Sequence, residues 1–166
     1  MRRWFANVGT PLAPAESNAL RALMGSDPLL AGAHILPVAT WQEATEVARA
    51  LDADALWWDH EEAERERLWN IAADGLGETE LLRRLSTMEI DHATVQQAVA
   101  AAAARADFTG VAAIRDAAGA LLLAAHQSAL AALAGEGTGH VFPRKYALFA
   151  DGRWPLGYHH GRYLIF

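Results

Sequence analysis

His126 is the side chain in this sequence best suited to chemistry, because it interrupts a long apolar stretch. Leu122, Leu130 and Leu133 stand around it at helical spacing, which predicts that the imidazole lies on a buried helix face. A buried imidazole needs a hydrogen-bond partner and can bind a ligand or a metal. Because no second metal ligand stands three or four residues away, the sequence favours a core histidine bonded to a carbonyl or a buried water. A small-ligand pocket beside His126 is the alternative.

Glu89 and His92 have the spacing of the Glu-x-x-His pairs in di-iron helical bundles. A di-iron centre needs a second such pair, and the sequence contains one copy. Asp91 is also well placed as the N-cap of a helix that begins at His92, which would leave Glu89 outside that helix. We therefore expect both side chains to be exposed and the protein to bind no metal and no cofactor. The absence of cysteine excludes disulfides and thiolate metal sites.

Tryptophan is the second feature that could bind a ligand or a partner. Trp57 and Trp58 are adjacent, Trp69 follows them, and Trp154 lies in the last part of the sequence. Indole rings stack flat ligands and anchor protein interfaces, although they also fill core volume that alanine leaves. Because adjacent helical residues cannot both face the core, we expect Trp57 or Trp58 to be exposed.

Two clusters of polar residues could bind ions. His159 and His160, beside Arg153 and Arg162, could hold an anion, although adjacent histidines are ordinary turn residues. The acidic run 59–66 is interpreted as a solvated helix face with pairing between residues four apart. The alternative is that this run contains a weak surface cation site, with His60, Glu61 and Glu64 as ligands.

A mainly helical fold must position these residues. The stretch Thr109–Ala134 is apolar or small on every helix face from Ala117 onward, which predicts a buried central helix with four or five others around it, a bundle of five to six helices. Its unbroken apolar run of nine residues, Ala117–Ala125, is shorter than the ~20 residues that a membrane span needs. We expect no membrane span.

Cap and stop residues delimit the other helices. Thr40 and Glu43 form a capping box before a helix that starts at Trp41. Asp59 and Asp91 are the predicted N-caps of two further helices. Two more helices are predicted over residues 15–24 and 78–88, and residues 34–38 are predicted as a brief strand or an extended connector.

The last residues change to a strand pattern. Asp151-Gly152 suits a type I′ turn, and a second turn is expected at His159–Gly161. With Tyr146–Ala150 as the first strand, the sequence predicts a small antiparallel meander over about 145–166. The class is therefore mainly α with a small β part (α+β), in one domain spanning 1–166.

Charge divides the chain into an acidic helical body, 1–139 at −9, and a basic part, 140–166 at +3. The acidic body argues against nucleic acid as a partner. The alanine-rich composition, with arginine preferred to lysine, is typical of a genome rich in G and C, and we expect a bacterial, cytoplasmic protein.

No catalytic motif is found, neither Gly-x-Ser-x-Gly nor a phosphate-binding loop nor His-Glu-x-x-His. We expect a non-catalytic interaction or accessory factor, such as an adaptor, an inhibitor or an immunity-type protein, that binds another protein or a second copy of itself. Such a protein should expose an apolar patch with Trp57 or Trp58 and Trp154. The alternative is a pocket protein that binds or transforms a small apolar or aromatic ligand, with a closed cavity reaching His126 and the tryptophans.

Overall fold

The computed structural model describes residues 3–166, most of which are helical. In that range the chain forms seven α-helices, three β-strands and a 3₁₀ turn at Pro28–Leu30. The helices are α1 (Pro14–Gly25), α2 (Trp41–Asp52), α3 (Ala55–Leu76), α4 (Glu78–Thr87), α5 (His92–Ala104), α6 (Val111–Leu133) and α7 (Val141–Ala150), and the strands are β1 (His34–Pro37), β2 (Pro155–His159) and β3 (Arg162–Ile165). The predicted class is confirmed, with more helices than the five or six expected.

Local capping chemistry explains where the predicted helices begin. The Thr40 hydroxyl accepts a hydrogen bond from the Glu43 amide at 3.2 Å, as predicted for α2. The Glu43 carboxylate accepts from the amide of Ala39 at 3.0 Å. Asp91 caps α5 by accepting from the Thr94 amide at 2.8 Å, which confirms its predicted role.

The start of α3 differs from the prediction. Asp54, and not Asp59, is its N-cap, and its carboxylate accepts from the Trp57 amide at 3.3 Å. The helix therefore begins at Ala55 and includes Trp57 and Trp58 in its first turns. Asp59 lies inside the helix with its side chain in solvent.

Helix α6 is the centre of the molecule, as predicted, and packs against α2, α3, α4, α5 and α7. Leu121 lies in one apolar cluster with Trp41 and Trp154, and Leu130 lies in a second. Within residues 3–166, α6 alone has the length and hydropathy to cross a membrane, but core helices have the same properties.

The prediction that every face of α6 is buried is wrong. Arg115, Asp116, Gly119 and Leu123 face solvent along one side. Alanine side chains are apolar but have little surface to bury. An alanine-rich helix can therefore leave one side exposed to water at a small cost in free energy.

The sheet also departs from the predicted meander. Residues Tyr146–Ala150 are helical, because α7 buries a stripe with helical spacing that begins earlier, at Val141 and Phe142. The prediction of a type I′ turn at Asp151-Gly152 is wrong, because Asp151 is the C-cap of α7 with a φ of −80°. Gly152 follows at φ +97°, and its amide bonds to the Phe149 carbonyl. A short apolar run is compatible with both the helical and the strand repeat, and here the preceding residues Val141 and Phe142 favour the helix.

The three strands form a mixed sheet in the order β1-β3-β2. The hairpin of β2 and β3 is antiparallel as predicted, with a bulge between Pro155 and Gly157. Its turn places His160 and Gly161 at positive φ, as a type I′ turn requires. The third strand is β1, which pairs parallel to β3.

Candidate functional site

Three of the predicted tryptophans line one hollow of about 320 Å³ between α2, α3, α6, α7 and the start of β2. Trp57 and Trp154 are buried in its wall, whereas Trp58 is 50% exposed at its rim. The expectation that one of the adjacent pair is exposed is confirmed. We call this hollow the tryptophan cleft; its lining includes Trp57, Trp58, Glu61, Gly119, Leu123, Lys145, Trp154 and Leu156.

Trp154 does not belong to an exposed patch, contrary to the expectation for an interaction protein. It is 2% exposed and belongs to the apolar core, and its backbone forms two hydrogen bonds to Phe166, of 2.7 and 2.9 Å. Its ring packs against those of Phe5 and Trp41. The exposed apolar surface of the cleft therefore comes from Trp58 and from Leu123, which is 39% exposed.

A buried ion pair lies in the wall of the cleft. The Lys145 ammonium on α7 donates to the Glu61 carboxylate on α3 over 2.5 Å, and both side chains are largely buried. The Lys145 nitrogen also lies 5.2 Å from the Phe142 ring centroid. Removing two charges from water is costly, so the two groups depend on each other. The pair also joins α3 to α7.

Carboxylates from two helices approach each other at the rim of the cleft. Burial raises the pKa of Asp52, on α2, and the negative charge of Asp116, on α6, raises it further. Arg115 lines the same rim. A cation placed between the two carboxylates would relieve their repulsion, so this edge favours a basic group on whatever binds there.

The interpretation of residues 59–66 as a solvated face is wrong for three of them, which bind partners on other elements. His60, Glu61 and Glu64 follow the helical spacing of the buried residues Trp57 and Leu68, so they lie on the face of α3 that packs against the body. The pairs are His60 with Asp27 at 2.8 Å, Glu61 with Lys145 at 2.5 Å and Glu64 with His140 at 2.7 Å. These residues do not converge on a cation site, and residues 3–166 contain no group of three His, Asp or Glu that could hold a metal.

His159 and His160 have separate surroundings. His159 Nδ1 lies 2.6 Å from Asp54 Oδ2, and this hydrogen bond is the main reason that the pKa of Asp54 is lowered. His160 is exposed and rests against His159, with ring centroids 4.0 Å apart. Arg153 is bonded to Glu16, so the pair does not gather the predicted arginines around an anion.

His126 lines a different hollow, of about 180 Å³, together with Met88, Glu89 and His92. Its ring is half-buried, and burial lowers the pKa of His126, helped by the charge of Arg65 and opposed by that of Glu89. Glu89 and His92 are exposed, as predicted. The hollow is smaller than the ~300 Å³ usual for ligand pockets, and no tryptophan lines it. Within residues 3–166, the predicted cavity that reaches both His126 and the tryptophans is therefore not found.

Trp69 reaches neither hollow. It lies on α3 beside Glu62, Arg65 and Glu66 in an open depression that α3 alone lines. Sequence reasoning missed Lys145 and Asp116 and assigned Glu61 to a cation site instead of to the ion pair with Lys145. Ion-pairing partners on different helices leave no local pattern.

Comparison with protein-family models, with curated proteins and with solved structures finds no match for this chain.

Proposed function

We propose that this protein is a non-catalytic factor that binds another protein through the tryptophan cleft. The observation that supports it best is that Trp58 and Leu123, both substantially exposed, border a hollow deep enough to receive a side chain. Partly exposed indole rings beside a pocket are typical of the residues that dominate the binding energy of protein interfaces.

The charges of the cleft favour a particular partner surface. An apolar side chain of the partner would fill the hollow against Trp57 and Trp154, and a neighbouring lysine or arginine would lie between Asp52 and Asp116. The net charge of −6 would accelerate the approach of a basic partner. A second copy of this acidic chain fits these charges less well.

The Lys145–Glu61 pair has a supporting role in this proposal. Each group satisfies the charge of the other, and the ammonium keeps further N–H groups that could donate to a carbonyl of the partner. A bacterial, cytoplasmic location belongs to the same proposal; the arginine- and alanine-rich composition supports the source.

A small aromatic molecule is the second candidate occupant. Its support is the volume of about 320 Å³, which lies within the range of small-ligand pockets, and the three indole rings in the lining.

Site-specific photocrosslinking in the native host tests the proposal. A photoreactive phenylalanine analogue replaces Trp58 or Leu123 in the cleft, and Ile71, an exposed residue of α3 outside the cleft, in the control. One protein crosslinked from both cleft positions and not from Ile71 is the expected result. Its purified form should bind the Trp58→Ala variant at least tenfold more weakly and the Ile71→Ala variant unchanged.

Other outcomes would contradict the proposal. A crosslink between two copies would assign the cleft to self-association. A low-mass adduct in native mass spectrometry that Trp58→Ala abolishes would favour the small-molecule candidate. Equal crosslinking from all three positions, or none, would refute a binding role for the cleft.

A further inference from the structure

A second hollow, of about 450 Å³, lies between the N-terminal segment, the start of α2 and the end of α5. It shares no lining residue with the tryptophan cleft. We call it the aromatic pocket and define it by Phe5, Trp41, Arg105, Phe108 and Phe166. Its volume lies within the range of small-ligand sites.

Four aromatic residues contribute to its wall. Trp41 is stacked with Phe108 at a centroid distance of 5.7 Å and an interplanar angle of 14°. Phe166 meets Trp41 edge to face at 5.2 Å. Phe108 is only partly buried, whereas the other rings are almost fully buried. The accessible part of the Phe108 ring is therefore the surface on which a flat aromatic ligand could stack.

The one charged side chain that lines the pocket of this acidic protein is basic. It belongs to Arg105, which in the described chain forms no ion pair. Its Nη2 donates a long hydrogen bond, 3.4 Å, to the Phe5 carbonyl, which leaves most of the five guanidinium N–H groups for other acceptors.

The start of α2 also lines the pocket, through Thr40, Trp41 and Gln42. The Glu43 carboxylate already binds the Ala39 amide there, so this terminus contributes little positive charge of its own. Arg105 is therefore the group that favours an anionic ligand.

We propose that the aromatic pocket binds a small aromatic anion, with one to three rings and a carboxylate or sulfonate. The rings lie against the accessible part of Phe108, and the acidic group binds Arg105. This site is independent of the function proposed for the tryptophan cleft.

A matched pair of fluorescent probes tests the proposal. The anionic probe is 8-anilinonaphthalene-1-sulfonate, and the neutral one, N-phenyl-1-naphthylamine, has the same rings without the sulfonate. Replacing Arg105 by Gln should weaken sulfonate binding about tenfold and change the affinity for the neutral probe less than twofold. Phe108→Leu should weaken both probes.

Two control variants locate the effect. Arg115→Gln removes an arginine at the tryptophan cleft, and Trp58→Ala alters the wall of that cleft. Neither should change the affinity of either probe. The proposal is overturned if Arg105→Gln leaves the sulfonate affinity unchanged, if it weakens both probes equally, or if the cleft variants reproduce its effect. Circular dichroism of each variant establishes that it is folded.

Discussion

The guanidinium of Arg153 binds the carboxylate of Glu16 through two hydrogen bonds, Nε to Oε1 at 2.9 Å and Nη2 to Oε2 at 2.7 Å. Both side chains are buried, and Arg153 is 3% exposed. Its remaining donors bond to the carbonyls of Thr10 and Pro11, and the Ala13 amide donates to Glu16. The pair joins α1 to the segment that follows α7, and each partner is hydrogen-bonded on several sides.

Replacing Arg153 by Gln should be strongly destabilising, because it leaves the Glu16 charge buried without its partner. We expect a loss of about 3–5 kcal/mol in the free energy of unfolding, measured by urea denaturation. Arg21→Gln, an exposed arginine of α1, is the control and should change that free energy by less than about 0.5 kcal/mol. Equal losses in the two variants would contradict the role assigned to the pair.

The same pair predicts a dependence of stability on pH. The hydrogen bond from Arg153 lowers the pKa of Glu16, although burial opposes it. The pKa is lower in the folded state than in the unfolded chain, where it is about 4.3, so the contribution is complete above that pH and is lost as pH falls through the folded value. Urea denaturation between pH 3 and 6 should give a shallower acid slope for Glu16→Gln than for the wild type. Identical slopes would exclude Glu16 as a source of acid sensitivity.

Gly157 should tolerate no side chain, because a Cβ there would lie 2.7 Å from Trp57 Nε1 and its φ is +141°. We expect Gly157→Ala to cost about 1–3 kcal/mol of unfolding free energy and to shift the indole emission as Trp57 moves. Gly161 also has a positive φ, +74°, but no atom within 4 Å of its Cβ position. Gly161→Ala therefore reports the backbone cost alone, about 1 kcal/mol. If the two variants lose the same stability, contact with Trp57 is not the cause.

The Lys145–Glu61 pair should show strong coupling in a double-mutant cycle. Lys145→Met leaves the largely buried Glu61 carboxylate unpaired and should destabilise the protein by about 3–5 kcal/mol. Adding Glu61→Gln removes the charge and should recover much of that loss. Urea denaturation of the four proteins gives the coupling energy, and strictly additive effects would mean that the pair does not act as a unit.

Local chemistry made part of this fold predictable. The caps at Thr40 and Asp91 bond to amides three residues away, so the sequence contains both partners. Asp59 is the predicted cap of the helix that follows α2, but Asp54, which has the same side chain, caps it instead. The helix begins at Ala55. Trp57 then lies against Gly157 of β2, which is 100 positions later in the chain.

The sequence predicted some of the residues of the candidate site, but not which of them lie together. Trp57, Trp58 and Trp154 were foreseen as binding candidates, and the structure places them around one cleft. Trp69 lies outside the cleft because it stands 11 residues after Trp58 on α3, about 16 Å farther along the helix axis. His126 lines a separate hollow with Leu122 and Ala129. Neither the Lys145–Glu61 pair nor the parallel neighbour of β3 has a local sequence signal, since pairs of this kind form only when distant elements pack.

The pairing of β1 with β3 has a consequence for biosynthesis. Each residue of β1 pairs with one that lies 128 positions later in the chain. At roughly 5–20 residues per second, a ribosome needs on the order of ten seconds or more to deliver β3 after β1 has emerged. The helices can collapse in that interval, while the backbone groups of β1 that later bond to β3 remain unpaired. Closure of the sheet is thus a late step in the life of the nascent chain, and a stalled or truncated product would present that edge to other proteins.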